Sequence, residues 1–318
     1  MKITEILQNI KKTHFSFELL PPLKGSSINK IYDTIDPLME FKPPYMNITY
    51  HREEVIYKKR EAGLLERKTT RKRPGTVAIA AAIKYKYRDL EVVPHLICGG
   101  FSKEETENAL IDLNFLGIKN ILLLRGDPEL SSNVFIPEKD GHKNAIGLVK
   151  QVDNLNKGIY LDNELENSTP SHFTIGVAGY PEKHIESPNR LSGIHFLKQK
   201  VAAGAEFIVT QMFFDNQKYY DFVASCRKEG INIPIIPGIK PIAVQNHLSS
   251  LPKTFNIDLP ETLVKEIIKC KNNIQVRQLG IEWAIAQSKD LIKNNVPVIH
   301  YYTMGKPDNI YKIAKAVF

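Results

Sequence analysis

Two charged residues, Arg125 and Asp127, stand in a short turn directly after the apolar run 121–124. Such a run predicts a buried strand of a parallel sheet, and the loop after a parallel strand is where α/β folds place ligand-binding and catalytic side chains. Gly126, between the two charges, serves as the hinge of this turn. The same stretch is also ordinary turn chemistry, so the other strand ends must decide between a site and a solvated turn.

Polar side chains collect at the ends of seven predicted strands. They are Glu18, Thr49, Tyr50, His51, His95, Arg125, Asp127, Tyr180, His184, Gln211, Tyr302 and Thr303. Each has an ordinary structural interpretation when taken alone: Glu18 can pair with a lysine, His95 can be a hydrogen-bonded core histidine, and Tyr180 can pack. Because the set recurs from strand to strand, we interpret it as one polar site on one face of the fold.

The residue types in this set narrow the chemistry. The histidines lack the HExxH spacing of a metal site and no carboxylate cluster accompanies them, so we predict no metal. A serine nucleophile is disfavoured because no GxSxG sequence is present. Two carboxylates, Glu18 and Asp127, remain among aromatic, amide and hydroxyl groups, which suits a bulky conjugated ligand.

Alternating strand and helix patterns must position these residues. The predicted strands are 15–18, 45–49, 92–98, 120–124, 173–178, 207–211, 233–237 and 298–302. Helices are predicted between them, for example from Ser102, which forms a capping box with Glu105, and from Asn189 to Ala203, before Gly204. Eight such alternations without a GxGxxG motif favour an α/β fold with a single closed (β/α)8 TIM barrel over an open nucleotide-binding sheet.

The composition is that of an ordinary globular protein: 42% of residues are hydrophobic and 25% are charged. The net charge of +8 is concentrated in residues 52–73, which hold nine basic and four acidic side chains. We interpret residues 52–75 as a solvated insertion or a loop that attracts anionic ligands. No run is long enough to span a bilayer, no signal peptide is apparent, and Cys98, Cys226 and Cys270 form no CxxC pair, so we expect a cytoplasmic protein.

Nine short motifs occur in the order found in the methylenetetrahydrofolate reductase family, which the chain resembles from about residue 14 to 318. They are FELLPP at 17–22, NITY at 47–50, PHL at 94–96, LRGD at 124–127, AGYPEKH at 178–184, LKQKV and AGA within 197–205, TQMFFD at 210–215, IPGI at 236–239 and YYT at 301–303. The resemblance covers the catalytic barrel only, at the length typical of bacterial members.

This resemblance implies an FAD-containing TIM barrel that occupies residues 1–318 as one catalytic domain. It implies reduction of 5,10-methylenetetrahydrofolate to 5-methyltetrahydrofolate by NADH or NADPH, supplying methyl groups for methionine synthesis. Hydride would pass through flavin N5 in a ping-pong cycle. By the same resemblance, Glu18 is the general acid that protonates folate N10 and opens the imidazolidine ring to an iminium. Asp127 would contact the pterin and stabilise that cation.

The resemblance also implies the binding residues. Those that match the FAD and nicotinamide sites are Thr49, Tyr50, His95, Arg125, Gly126, Asp127, Ala145, Tyr180, His184 and Lys200. Those that match the folate site are Asp127, Gln211, His247 and Lys306. His247 and Lys306 stand where other members have glutamine and arginine. A lysine ammonium is a point charge, whereas an arginine guanidinium can form two parallel hydrogen bonds to a carboxylate. Gly193, Phe196 and Gln199 depart from the family near the adenosine end of FAD.

Two alternatives from other classes stay open. One is another flavin-dependent barrel oxidoreductase, of the proline dehydrogenase type. The other is a basic nucleic-acid-binding protein, which would show a steep salt dependence of binding. On the favoured interpretation the partners are methylenetetrahydrofolate, including polyglutamylated forms that the basic segment 52–75 could bind, and further copies of the chain in a homo-oligomer. Neither nucleic acid nor membrane is an expected partner.

Overall fold

Parallel strands form a barrel in the computed structural model, which describes residues 1–128 and 134–318. The strands are His14–Leu19 (β1), Tyr45–Ile48 (β2), Glu54–Lys59 (β3), Leu65–Thr70 (β4), Glu91–Ile97 (β5), Asn120–Leu124 (β6), Thr174–Gly179 (β7), Phe207–Thr210 (β8), Ile235–Ile236 (β9), Gly238–Ile239 (β10) and Val298–Tyr302 (β11). All except β3 and β4 belong to one sheet, in the order β10-β11-β1-β2-β5-β6-β7-β8-β9.

Pro237 divides what would otherwise be one strand into β9 and β10. β9 pairs with β8 and β10 pairs with β11, so the two halves together carry the sheet around to its starting point. The Pro237 carbonyl accepts a hydrogen bond from His300 N at 2.9 Å, which ties the break to β11. The prediction of a TIM barrel is confirmed, and seven predicted strands lie where expected. The eighth, predicted at 233–237, instead continues beyond the proline to Ile239.

Helices cover the outside of the barrel. They are Ile3–Asn9 (α1), Asn29–Ile35 (α2), Thr76–Lys86 (α3), Lys103–Phe115 (α4), Ala145–Asn156 (α5), Arg190–Ala202 (α6), Asn216–Lys228 (α7), His247–Phe255 (α8), Glu261–Lys269 (α9), Asn273–Lys293 (α10) and Pro307–Val317 (α11), with 3-10 turns at Asp36–Phe41 and Glu61–Gly63. The predicted capping box starts α4, since Glu105 N donates to Ser102 Oγ at 3.2 Å and Ser102 N donates to the Glu105 carboxylate at 2.7 Å. No helix within the described ranges is long and apolar enough to cross a membrane.

Helix α1 closes the amino-terminal end of the barrel. Its Ile3 is fully buried and packs in an interior cluster with Tyr45, Phe207 and Val298. Asn120 at the start of β6 holds the helix in place, because its Oδ1 accepts from Ile3 N at 2.7 Å and its Nδ2 donates to Met1 O at 2.9 Å. The carboxyl ends of the strands therefore form the end of the barrel that is left for a ligand site.

The basic segment 52–75 is not an irregular loop. β3 and β4 pair as an antiparallel hairpin from Glu54↔Thr70 to Lys59↔Leu65, and its outer part is exposed. Lys72 forms an ion pair with Glu54 at the base of the hairpin. Lys24 N donates to Lys72 O at 2.8 Å, which joins that base to the loop after β1. The hairpin consequently rises from the same end of the barrel as the predicted site.

Candidate functional site

Glu18 lies at the carboxyl end of β1, where its Cα is paired with Asn47 of β2 and with Tyr302 of β11. Its carbonyl accepts a hydrogen bond from Thr303 Oγ1 at 2.6 Å, which fixes the strand end. The side chain is only 14% exposed. Burial raises the pKa of Glu18 to about 8, against the opposing effect of the Lys240 charge. The carboxyl group is therefore protonated at neutral pH, as a proton donor must be.

His95 faces Glu18 from β5. Its Nε2 lies 3.8 Å from Glu18 Oε2 and 3.1 Å from Asn47 Nδ2, which donates to it. Burial is the largest of the effects that lower the pKa of His95, to about 3, so the ring is neutral and accepts this hydrogen bond. Asn47 was not predicted as a site residue; its position two residues before Thr49, on the inward face of β2, was the available signal.

Tyr302, the partner of Glu18 on β11, lines a cavity of about 210 Å³ at the barrel mouth. Its hydroxyl donates to Thr210 O at 2.6 Å, and its ring packs against Gly238, where a Cβ would come within 2.5 Å of the hydroxyl oxygen. The cavity is lined by Lys240, His247, Arg277, Tyr302, Thr303, Lys306 and Asp308, among others. Its lining carries more positive than negative side chains, which suits an anionic group of a ligand.

The structure brings together His247 and Lys306, which were predicted as substrate residues, in this cavity. Lys240 and Arg277 were not predicted. Lys240 was missed because the strand before it was expected to end at Pro237, two residues before its true end at Ile239, so the polar residue that follows that end was not considered. Arg277 lies on α10, far along the chain from any predicted strand end.

Arg125 and Asp127 follow β6 on the other side of the mouth. The Arg125 guanidinium forms an ion pair with both Glu186 carboxylate oxygens, the Nη2–Oε1 distance being 2.9 Å, and it lies 5.0 Å from the centre of the Phe135 ring. This contact lowers the pKa of Glu186. Asp127 is exposed at the mouth, where a charged carboxylate remains hydrated and available.

Tyr180 and His184 form an aromatic pair after β7, with ring centroids 4.8 Å apart in an edge-to-face arrangement. Burial, reinforced by the charge of Asp127, raises the pKa of Tyr180 to about 12. The pKa of Tyr302 is likewise raised, by burial first and then by Glu18 and Tyr180. Asp127 thus acts on the pKa of Tyr180, and Glu18 and Tyr180 act on that of Tyr302, as expected for side chains around one barrel mouth.

Lys200 projects from α6 toward the end of β7, where its Nζ donates to Ala178 O at 2.9 Å. Burial lowers the pKa of Lys200 to about 8. Lys200 is half-buried, and its hydrogen-bond partner among the described residues is this one carbonyl, so its charge is poorly compensated and an anionic ligand beside it would be stabilising. Lys200 and Arg125 both act on the titration of His184, which shows that the two cations share a neighbourhood.

The remaining predicted cofactor and substrate residues occupy the turns of the same end. Thr49 Oγ1 lies 3.2 Å from His51 Nε2, and the Tyr50 ring lies 4.9 Å from that of Phe101. Gly126 has φ of 87°, and a Cβ there would come within 3.1 Å of Ile97, so glycine is required. The backbone N–H of Met212 donates to Gln211 Oε1 at 3.0 Å. Ala145 opens α5, whose N-cap is Asn144.

The donor set fits a long ligand with an aromatic part and an anionic part. Tyr50, Tyr180 and His184 offer ring faces, Gly126 allows close backbone approach, and Arg125 and Lys200 offer positive charge. FAD has both parts, so these residues fit it. Across 1–128 and 134–318, no group of three or more His, Cys, Asp or Glu side chains could hold a metal ion.

Comparison with known proteins agrees with these features. A family model described as "Methylenetetrahydrofolate reductase" matches residues 2–317. The chain is 28% identical to "Methylenetetrahydrofolate reductase (NADH) 1" of Arabidopsis thaliana, over 96% of this chain and 49% of the plant protein. It is 28% identical to the 5,10-methylenetetrahydrofolate reductase of Salmonella typhimurium, over 94% of this chain and 88% of that protein. The chain thus spans about half the length of the plant relative and most of the bacterial one.

Among solved structures, a protein of Clostridium thermocellum superimposes with a TM-score of 0.57 and covers 98% of this chain and 97% of its own. It is described as an uncharacterized protein that binds two copies of 5-methyl-5,6,7,8-tetrahydrofolic acid. At 13% sequence identity, this similarity shows the shared fold.

Proposed function

Because this chain belongs to the methylenetetrahydrofolate reductase family, we propose that it reduces 5,10-methylenetetrahydrofolate to 5-methyltetrahydrofolate with bound FAD and with NADH or NADPH as electron donor. The observation that carries this proposal is the state of Glu18. It is a carboxyl group at the barrel mouth whose pKa is raised to about 8 by burial, so it holds a transferable proton at neutral pH.

Glu18 is the proton donor in this proposal. Its proton passes to N10 of the folate, the bond between N10 and the methylene carbon breaks with its electrons going to N10, and a cationic iminium remains at N5. Asp127, a carboxylate exposed at the opposite side of the mouth, stabilises that cation. Two carboxyl groups thus have different roles because their surroundings differ: Glu18 is buried and neutral, and Asp127 is hydrated.

FAD, when bound, would take hydride from the nicotinamide and supply it to the methylene carbon. Arg125 and Lys200 would hold its phosphates, and Tyr50, Tyr180 and His184 would line its rings, with Thr49, His95, Gly126 and Ala145 completing the site. His247 and Lys306 would bind the folate through the cavity beside Tyr302, and Gln211 would contact it near the strand ends. The relative of Arabidopsis thaliana is named for NADH, which supports a nicotinamide donor.

The test separates the two halves of the reaction. The purified protein, loaded with FAD under anaerobic conditions, is mixed with NADH or NADPH, and the loss of flavin absorbance is followed. Methylenetetrahydrofolate is then added to the reduced flavin. In a separate sample, proline is added to the oxidised flavin. Reduction by a nicotinamide and reoxidation by methylenetetrahydrofolate are expected. A reduced flavin that methylenetetrahydrofolate does not reoxidise would overturn the proposal, and bleaching of the oxidised flavin by proline would favour the proline dehydrogenase type.

Glu18→Gln sharpens this test. The amide has nearly the same shape but no acidic proton, so reoxidation by methylenetetrahydrofolate should fall by at least about 100-fold. Reduction by the nicotinamide should stay within about twofold, because that half needs no proton from Glu18. A variant that reoxidises at the normal rate would show that Glu18 is not the donor.

A further inference from the structure

Lys240 follows β10, which is separated from β1, the strand of the proton donor Glu18, by β11 alone. β10 ends at Ile239, whose partner on β11 is Tyr301, so the continuation of this register places Lys240 level with Tyr302. Tyr302 is in turn the partner of Glu18 on β1. Lys240, Tyr302 and Glu18 therefore occupy one level across three neighbouring strand ends.

The Lys240 side chain is buried and has no hydrogen-bond or ion-pair partner among the described residues. It is 7% exposed and lines the cavity at the barrel mouth. Within the described parts of the chain, its ammonium makes no hydrogen bond and has no carboxylate within 4.0 Å. A buried ammonium is costly unless a negative charge compensates it. Glu18 is the carboxyl group whose charge acts on it: burial lowers the pKa of Lys240, and a charged Glu18 raises it.

We propose that Lys240 is a positioning residue for proton transfer, whose ammonium compensates the carboxylate that Glu18 becomes when its proton leaves. The inference rests on the proposed function, because it concerns the proton that Glu18 gives to the folate. Before transfer the pair is a neutral acid and an ammonium. After transfer the proton is on the substrate nitrogen, the bond electrons are on that nitrogen, and the new negative charge of Glu18 faces Lys240.

The other groups around Glu18 do not supply this positive charge. His95 on β5 is neutral because burial, with His300 and His51 acting in the same direction, keeps its pKa low. Tyr302 on β11 is held neutral, and Asn47 on β2 carries no charge. Across the cavity, burial and then Lys240 lower the pKa of His247 to about 4, so it too is neutral at pH 7. Among the described residues that act on Glu18, Lys240 provides the compensating cation.

The first experiment measures Glu18 itself. Infrared difference spectroscopy of the full-length protein follows the protonated carboxyl band between pH 5 and 10, and Glu18→Gln identifies that band. In Lys240→Met the midpoint should rise by about 1 pH unit or more, because a nearby opposite charge lowers a carboxyl pKa by about that much. Lys240→Arg should restore the midpoint. Lys228→Met, at an exposed end of α7, controls for the loss of a positive charge elsewhere.

The second experiment measures the two half-reactions in the FAD-loaded protein. In Lys240→Met, reoxidation by methylenetetrahydrofolate should slow about tenfold or more at pH 7, and the alkaline limb of its pH profile should move to higher pH. Reduction by the nicotinamide should change little, and the KM for folate should change by less than the reoxidation rate does. Lys240→Arg should recover most of the rate, which a disrupted fold would not allow.

Three results would overturn the inference. An unchanged Glu18 midpoint in Lys240→Met would show that the two groups are not coupled. A large rise in KM with an unmoved pH profile would show that Lys240 binds substrate directly. Equal losses in both half-reactions would indicate a structural role. A wild-type protein that never reoxidises with folate would instead defeat the proposed function, while the infrared titration would still decide whether Lys240 acts on Glu18.

Discussion

Glu18 Oε2 lies 3.8 Å from His95 Nε2, yet these two groups form no ion pair at neutral pH. Burial moves their pKa values in opposite directions, to about 8 for the carboxyl and about 3 for the imidazole, so both are uncharged between these values. Their contact is between a neutral acid and a neutral ring. This arrangement keeps a proton available at the mouth without a positive histidine beside it.

The raised pKa of Glu18 predicts a pH-dependent cost to stability. Between pH 4.5 and about 8 the folded protein binds the Glu18 proton and the unfolded chain does not, so stability falls as pH rises through this window. Glu18→Gln lacks this group, and its free energy of unfolding should exceed that of the wild type by roughly 4 kcal/mol at pH 8. Urea unfolding at pH 5, 6, 7 and 8 measures the difference.

His95 does not obscure that comparison. Because the pKa of His95 is lowered in the folded protein, the unfolded chain binds its proton first, and stability is lost as pH falls from 6.5 toward about 3. This loss is the same in the wild type and in Glu18→Gln. The difference between the two unfolding curves therefore reports Glu18. Curves that run parallel from pH 5 to 8 would mean that Glu18 titrates normally in the folded protein.

Lys200→Met should separate stability from cofactor binding. Removal of the buried ammonium should stabilise the cofactor-free protein by about 2 kcal/mol at pH 7, after allowance for partial exposure. The gain should shrink from pH 8 to 10.5, where the wild-type lysine is neutral when folded but still charged when unfolded. FAD should bind about tenfold or more weakly, because a charged hydrogen bond to its phosphates is lost.

Lys198→Met is the matched control for this prediction. Lys198 lies on the same helix, is 54% exposed and pairs with Glu229 at the surface. Surface pairs contribute little, so both stability and FAD affinity should change little. If Lys200→Met left the FAD affinity unchanged in fluorescence titrations, Lys200 would not belong to the cofactor site.

The ion pair of Arg125 with Glu186 predicts competition between Glu186 and the cofactor. If a phosphate of FAD takes the place of the Glu186 carboxylate, Glu186→Gln should raise FAD affinity up to about tenfold, whereas Arg125→Ala should lower it by about 10- to 100-fold. Arg125→Lys should fall between, since a lysine cannot form the two-pronged contact. Equilibrium dialysis measures all three. Weaker binding in Glu186→Gln would show that Glu186 instead holds Arg125 in its binding position.

The hairpin β3–β4 predicts a contact with long anionic substrates. Its exposed cations Lys58, Lys59, Arg67 and Lys68 can be replaced together by glutamine, leaving Arg71, Lys72 and Arg73, which hold the base of the hairpin. The KM for polyglutamylated folate should rise about tenfold at low salt and less at high salt, and the KM for the monoglutamate should stay constant. The same replacement of Lys265 and Lys269 on α9 is the control. A KM for polyglutamylated folate that stays unchanged after the four replacements would exclude this role.

The sequence was a good guide where local pattern and tertiary structure agree. Apolar runs broken by charged turns predicted seven strands and the polar residues that follow them at the barrel mouth. This worked because a strand buried on both faces has no polar residues until it ends. Ser102 and Glu105 started α4 as predicted, since a capping box depends only on residues three apart.

The errors have the opposite cause. Pro237 looks like a strand end, but the barrel continues through it because β11 accepts the other half, and no local pattern shows this. Because the strand was predicted to end at Pro237, Lys240 was not recognised as a residue that follows a strand end. The hairpin β3–β4 has no Asn-Gly turn and few alternating apolar residues, so its pairing could not be read from the 52–75 segment. The neutrality of His95 depends on burial, which the sequence does not contain.

Helix α1 has a bearing on the timing of catalysis. With Ile3 packed into the interior at the amino-terminal end, the described part of the chain leaves the carboxyl ends of the strands as the open end of the barrel. On the proposed function, a spent nicotinamide and an incoming folate have to pass through the same opening, so the departure of one reactant governs the arrival of the next.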